Sequence, residues 1–159
     1  MRGSGGEHRG ARVLTIFIIT IVAMWIALAP AAVAGNRARV LRMVNATREN
    51  HNLHTLTIDA SLSRKAMQHT NRMIDRNAIY DPTNLSQLMS GEPWNSIAAS
   101  VVGCARTLRG LHRAFMHHAA HREIILNPGL RRIGVGVTKA SSRNACGRGY
   151  FWATELFYG

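Results

Sequence analysis

The sequence predicts an α+β domain in which helices pack against a small antiparallel sheet. Three segments carry apolar residues at three- and four-residue steps, the spacing of helices with one buried face. Two segments near the C-terminus are alternating or aromatic-rich, as strands are. Because the helices precede most of the strands instead of alternating with them, the pattern favours α+β over α/β.

The composition agrees with one basic globular domain. The chain has 159 residues, of which 47% are hydrophobic, which is too apolar for a disordered chain. Its net charge of +12 predicts attraction to anionic lipids or cell-wall polyanions. No RNP-like motif, aromatic stacking run or zinc-finger spacing occurs, so no specific nucleic-acid partner is expected.

Residues 1–34 have the form of a secretory signal peptide. Arginines precede an uncharged stretch, Val13–Gly35, and Ala32-Val33-Ala34 is the small-x-small pattern of a cleavage site. The mature domain would then be residues 35–159, secreted or extracellular. The alternative is an uncleaved membrane anchor, since about 20 apolar residues can span a bilayer.

Two helices are predicted first in this domain. The first covers Ala38–Asn50, and the second begins at Asp59 or Ser61 as N-cap and ends near Asn77. Residues 78–96 contain proline, glycine and asparagine in the pattern of a loop.

The rest of the chain predicts three strands and one long helix. Ile97–Val102 is short and β-branched, as strands are, and Thr107–Leu126 is a helix stopped by an Asn-Pro-Gly turn. Apolar residues alternate in Ile133–Val137, and Tyr150–Phe157 forms the last strand. The polar segment Lys139–Gly149 joins these two strands as a hairpin loop.

The two cysteines, Cys104 and Cys146, predict one disulfide. An exported protein with an even number of cysteines favours pairing over a nucleophilic thiol. Because the loop closed is long, the bond should stabilise the fold by about 4 kcal/mol.

The predicted helix Thr107–Leu126 carries a cluster of histidines: His112, His117, His118 and His121. His117 and His121 are four residues apart and would share a face, the spacing of a metal-chelating pair. The segment lacks the glutamate of His-Glu-x-x-His, so a zincin-type protease is not expected. The simpler interpretation is a polar helix face that is rich in histidine.

No other catalytic pattern is present. The carboxylates are scattered, and neither a Gly-x-Ser-x-Gly elbow nor a phosphate-binding glycine loop occurs. The residues alone therefore predict an exported, basic α+β domain with one disulfide and a histidine-bearing helix.

Several segments in order resemble the CAP superfamily (cysteine-rich secretory proteins, antigen 5 and pathogenesis-related proteins) in its bacterial form. The similar segments are Leu41–Arg48, Leu53–Leu62, Phe115-Met116 with His121–Pro128, Ile133–Val137 and Tyr150–Phe157. Together they cover about residues 38–158. The resemblance implies an α-β-α sandwich of helices around a small antiparallel sheet.

The family's cavity carries two histidines and acidic partners, and it holds a divalent metal in some members. His121 falls on the second histidine, but the first falls on Tyr80. The glutamate falls on Ala99, or on Glu92 in another register, and His118 replaces a serine.

The resemblance therefore implies a degenerate cavity with His121, Tyr80, His117 and His118 as candidate binding residues. A zinc ion needs about three protein ligands, and the replacements leave His121 short of partners. If a divalent metal such as zinc binds, His121 would ligate it together with His117 or His118.

Three functions follow as hypotheses. The first is a secreted, non-enzymatic binding module for a lipid, a peptide or an anionic envelope component. The second is a divalent-metal-dependent hydrolase centred on His121. The third is a basic adhesin, held at the membrane by an uncleaved Val13–Gly35 or by its charge. The ligand and the oligomeric state are left open.

Overall fold

The computed structural model describes residues 32–94, 97–141 and 144–159. The chain divides into two units, 1–34 and 35–159. The second unit is described below. The predicted signal peptide or anchor falls almost wholly outside the described residues. None of the helices in the described part is both long enough and apolar enough to cross a membrane.

Five helices and four strands make up the described fold. The helices are α1 (32–49), α2 (Ala60–Asp75), α3 (Leu85–Leu88), α4 (Leu108–His117) and α5 (Ala119–Ile125). The strands are β1 (Thr57–Ile58), β2 (Ala98–Ala105), β3 (Arg132–Lys139) and β4 (Phe151–Tyr158). The mixture of helices and one sheet confirms the predicted fold class.

The sheet has the strand order β1-β3-β4-β2. β4 is an inner strand and is antiparallel to both of its neighbours, β3 and β2. It forms a hairpin with β3, which precedes it in the chain. β1 is parallel to β3 and was not predicted. Its two residues are too few to show the alternation by which a strand is recognised.

α2 packs on one face of the sheet at unusually short range. The Asp59 side chain caps the helix by accepting a hydrogen bond from the Leu62 N–H at 2.9 Å. Two glycines of β3 face the helix. A Cβ on Gly134 would lie 2.4 Å from the Leu62 backbone, and one on Gly136 would lie 2.2 Å from the Ala66 backbone. The absence of these side chains is therefore what permits the contact.

The opposite face is covered by α1 and α4. Because successive strand residues point to opposite faces, Ala153 and Phe157 of β4 belong to this layer and Trp152 and Leu156 to the α2 layer. The side chains buried with them include Val40, Val44, Leu111 and Phe115. The sheet thus lies between two helical layers, the α-β-α sandwich that the family resemblance implied.

The predicted helix Thr107–Leu126 is wrong as a single element. Thr107 is its N-cap, but the backbone at His118 is extended, with φ −86° and ψ 116°, and divides the segment into α4 and α5. A second difference is α3, which lies inside the predicted loop 78–96. Asn84 begins it, since its side chain accepts a hydrogen bond from the Gln87 N–H at 3.0 Å.

The disulfide prediction is confirmed. Cys104 of β2 is bonded to Cys146 in the connection between β3 and β4. Both cysteines pack against the buried cluster that contains Trp152, and the bond ties the edge strand β2 to the connection between β3 and β4.

Candidate functional site

A cavity of about 200 Å³ lies beside β2, which is an edge strand of the described sheet. We call it the edge cavity. Its lining consists of Val102–Cys104 from β2, Leu111, Ala114 and Phe115 from α4, and the two histidines His118 and His121. The cavity is therefore mostly apolar, with two imidazoles as its polar groups.

Those two imidazoles lie close together, with His118 at the junction between α4 and α5 and His121 within α5. The ring centroids of His118 and His121 are 4.4 Å apart at an interplanar angle of 42°. Phe115 meets the His121 ring edge-on, with centroids 5.2 Å apart. The sequence allowed His117 or His118 as the partner of His121, and helical spacing alone suggested His117. His117 is the exposed last residue of α4 and does not line the edge cavity.

The environment of His121 favours its neutral form. Burial lowers the pKa of its imidazole, and the neighbouring His118 lowers it further, while Asp81 opposes both effects. His121 is thus an uncharged hydrogen-bonding group at neutral pH. The effect of Asp81 also shows that the segment after Tyr80 passes within electrostatic range of the edge cavity.

Arg48 of α1 holds α5, and with it His121, in position. Its fully buried guanidinium donates hydrogen bonds to the carbonyl oxygens of Ile125 at 2.7 Å, Asn127 at 3.0 Å and His54 at 3.0 Å. Two of these carbonyls lie at the C-terminal end of α5, where unpaired acceptors and the helix dipole favour a cation. Burial lowers the pKa of Arg48, and so does the charge of Arg131. In the sequence, Arg48 is the last residue of one segment that resembles the family, and no pattern there predicts that it binds the end of α5.

The outer edge of β2 carries backbone groups that β4 does not use. The Gly159 N–H donates to the Ile97 carbonyl at 3.2 Å, which makes this antiparallel pair a hydrogen-bonded one. Since such pairs alternate, every second residue of β2 directs its N–H and C=O away from β4. These residues are Ala98, Ser100, Val102 and Cys104. Within the described residues, their outward backbone groups have no hydrogen-bond partner.

Tyr80 lines a different cavity from His121, although it packs on the same buried cluster as Val102 and Cys104 of the edge cavity. Its carbonyl oxygen accepts a hydrogen bond from His69 Nε2 at 2.9 Å, and the two rings meet edge-on with centroids 5.1 Å apart. The hydroxyl group is buried and lacks a hydrogen-bond partner among the described residues. Of the candidate residues, His118 and His121 are in ring contact and line the edge cavity, Tyr80 lines the other cavity, and His117 lines neither.

The donor set around His121 does not fit the family's metal. The described ranges contain no group of three or more His, Cys, Asp or Glu side chains placed to hold an ion. Glu92, one candidate for the family's glutamate, is bound instead by Lys65 Nζ at 2.8 Å and Ser61 Oγ at 2.9 Å. The other candidate, Ala99, has no donor atom in its side chain. Two imidazoles alone are fewer than the three protein ligands of a catalytic zinc site.

Comparison with known proteins identifies the class. The model of the CAP family, the cysteine-rich secretory protein family, matches residues 41–156. This chain therefore belongs to the CAP family. It is also 30% identical over 120 residues to the uncharacterized protein YkwD of Bacillus subtilis, a match that covers 72% of this chain. The match covers 47% of that relative, so the chain spans about half of its length.

Solved structures agree on the fold. An outer surface protein from Borrelia burgdorferi superposes with a TM-score of 0.67 at 16% identity, covering 78% of this chain and 92% of that one. An extracellular protein containing an SCP domain from Bacillus anthracis gives a TM-score of 0.61 at 20% identity, covering 79% of this chain and 40% of that one. At such identities the likeness concerns the fold alone.

Proposed function

We propose that this protein is a secreted, non-enzymatic CAP domain that binds an extended peptide segment along the outer edge of β2. The observation that supports the proposal is the row of unused backbone groups on β2 beside the edge cavity. A strand added there would pair its own N–H and C=O groups with Ser100, Val102 and Cys104.

The sequence of β2 suits such pairing. The edge strands of protein sheets normally carry charged residues, proline or bulges that prevent another strand from pairing with them. All eight residues of Ala98–Ala105 are uncharged, and none is proline. The strand is paired with β4 along its whole length, so its outer edge is regular as well.

The edge cavity would supply the side-chain selectivity. At about 200 Å³ it is smaller than the roughly 300–1,000 Å³ of small-molecule pockets. Its size therefore favours one side chain of a longer ligand. The apolar walls and the neutral His121 suit an aromatic or aliphatic side chain with one hydrogen-bonding group.

Two further observations support a location outside the cytoplasm. The disulfide between Cys104 and Cys146 is typical of oxidising compartments. The named structural neighbours include an outer surface protein and an extracellular protein.

A matched pair of variants at Ser100 tests the proposal. Its N–H faces outward, so Ser100→Pro removes a donor that β4 does not use, a position where an edge strand tolerates proline. Ser100→Ala keeps that donor. Random peptides displayed on phage would be selected on the full-length protein. The selected peptides should bind wild type and Ser100→Ala alike, and Ser100→Pro at least about tenfold more weakly.

A second measurement keeps the test valid if Ser100→Pro fails to fold. Each selected peptide would be made with backbone N-methyl groups on alternate residues, in both phases. Loss of binding in one phase only is expected, because alternate residues of an added strand face β2. Equal binding of both methylated forms, or selection of no peptide, would overturn the proposal.

A further inference from the structure

A second cavity, of about 490 Å³, lies between the C-terminal half of α2 and the segment 80–88. We call it the basic cavity. Its polar lining includes His69 and Arg72 from α2, Arg76 at the C-cap of α2, and Thr83, Asn84 and Gln87 from the facing segment. The described lining contains no Asp or Glu, so both of its formal charges are positive.

The two arginines are four residues apart, about one helical turn, with Arg72 in α2 and Arg76 as its C-cap. In the part of the chain that the structure describes, the ion pair found is Lys65 with Glu92, and it involves neither arginine. The Arg76 guanidinium instead lies over the Tyr80 ring, 5.5 Å from its centroid. This cation–π contact restricts the side chain while leaving its N–H groups available.

Both walls of the basic cavity are fixed by hydrogen bonds. His69 is 2% exposed, and its bond to the Tyr80 carbonyl ties α2 to the facing segment. On the other side the Asn84 side chain caps α3 through the Gln87 N–H. The space between the arginines and the amide side chains is therefore built before any ligand enters, which lowers the entropic cost of binding.

We propose that the basic cavity binds a small molecule that carries a phosphate group. One carboxylate is satisfied by a single guanidinium fork, whereas the three outer oxygens of a phosphate monoester can accept from two forks at once. The volume lies within the range of small-ligand pockets. The lining of this cavity shares no residue with that of the edge cavity, and the proposal does not rest on peptide binding along β2.

Calorimetric titration of glycerol 3-phosphate into the full-length protein tests the site. Arg72→Gln and Arg76→Gln should each weaken binding by about tenfold or more, since each removes one fork. Arg64→Gln is the matched control. Arg64 is an exposed arginine on the same helix that does not line the cavity, so its loss should change the affinity by less than about twofold.

Two probes separate the possible sources of the phosphate. Vesicles containing phosphatidic acid, whose headgroup is a phosphate monoester, compared with phosphatidylcholine vesicles, test a lipid headgroup. Binding of vesicles but not of free glycerol 3-phosphate, with the same dependence on Arg72 and Arg76, would support the site and assign it to a headgroup. Glycerate tests a carboxylate of similar size and should bind more weakly.

Three results would overturn the proposal. The first is that the wild-type protein binds neither phosphate probe. The second is that Arg64→Gln weakens binding as much as Arg72→Gln does, which would indicate attraction to overall charge. The third is that glycerate binds as tightly as glycerol 3-phosphate.

Discussion

Thr154 and Glu155 are neighbours on the inner strand β4, and both are fully buried. Their side chains lie on opposite faces of the sheet and differ in their hydrogen bonding. On the α2 face, Thr154 Oγ1 lies 2.9 Å from Thr70 Oγ1, which is also 2.9 Å from the Gly136 carbonyl oxygen. On the opposite face, neither carboxylate oxygen of Glu155 has a hydrogen-bond partner among the described residues.

The two helical layers accommodate a buried polar group in different ways. The α2 layer lies close enough for hydroxyl groups and backbone carbonyls of two elements to meet. The α1–α4 layer surrounds Glu155 with apolar side chains, and its cross-strand neighbours are Val101 and Val135. Burial there raises the pKa of Glu155 to about 8, so the carboxyl group is protonated at neutral pH.

The largest effect is expected from Gly136→Ala. Its Cβ would fall 2.2 Å from the Ala66 backbone, which cannot move without displacing α2, so we expect the variant not to fold. Gly103→Ala is the matched change on the other face, where the nearest atom, at 2.7 Å, belongs to the Phe115 ring and can rotate away. Urea unfolding should rank Gly103→Ala as much the more stable; the reverse order would show that the α2 contact is not the tighter one.

The next effect is a pH dependence that comes from Glu155. The folded state keeps a proton that the unfolded carboxyl releases near pH 4.5, so stability falls as the pH rises from about 4.5 through 8. The loss at pH 7 is on the order of 3 kcal/mol. Glu155→Gln should remove this slope and raise the free energy of unfolding above pH 7. Parallel pH profiles of the two proteins in urea titrations would contradict the assignment.

Thr154→Val should have a smaller effect of the opposite sign. The substitution keeps the shape but removes a buried hydroxyl from the cluster with Thr70, at a cost of about 1–2 kcal/mol. Thermal unfolding of both single variants at pH 7 compares the two faces directly. If Thr154→Val stabilised the protein as Glu155→Gln is expected to, the hydrogen-bonded cluster would contribute nothing to stability.

The smallest effect is expected at Tyr80. Its buried hydroxyl has no partner in the described structure, so Tyr80→Phe should change the free energy of unfolding by less than about 1 kcal/mol and could increase it. The variant therefore tests whether an unpaired buried hydroxyl, like the unpaired carboxyl of Glu155, contributes nothing to stability. A destabilisation well above that value in the same urea titrations would reveal a partner for the hydroxyl.

Much of this fold could be predicted because the signals are local. The Asp59 cap sets the start of α2, which the sequence placed at Asp59 or Ser61, and the alternation in Ile133–Val137 marks β3. Capping and alternation involve residues a few positions apart, so a linear pattern records them. The pairing of Cys104 with Cys146 was also determined by the sequence, since the chain has only two cysteines.

Only the tertiary structure decided the site. The sequence around His118 contains neither proline nor glycine to divide the helix, and the end of α5 is held by Arg48, far away in the chain. His118, one of the two partners that the sequence allowed, is the residue whose ring contacts His121, and both rings line the edge cavity beside β2. Likewise the sequence shows a glutamate at position 155, but its protonation depends on which layer covers it. Burial and long-range contacts arise from packing, and a linear pattern does not contain them.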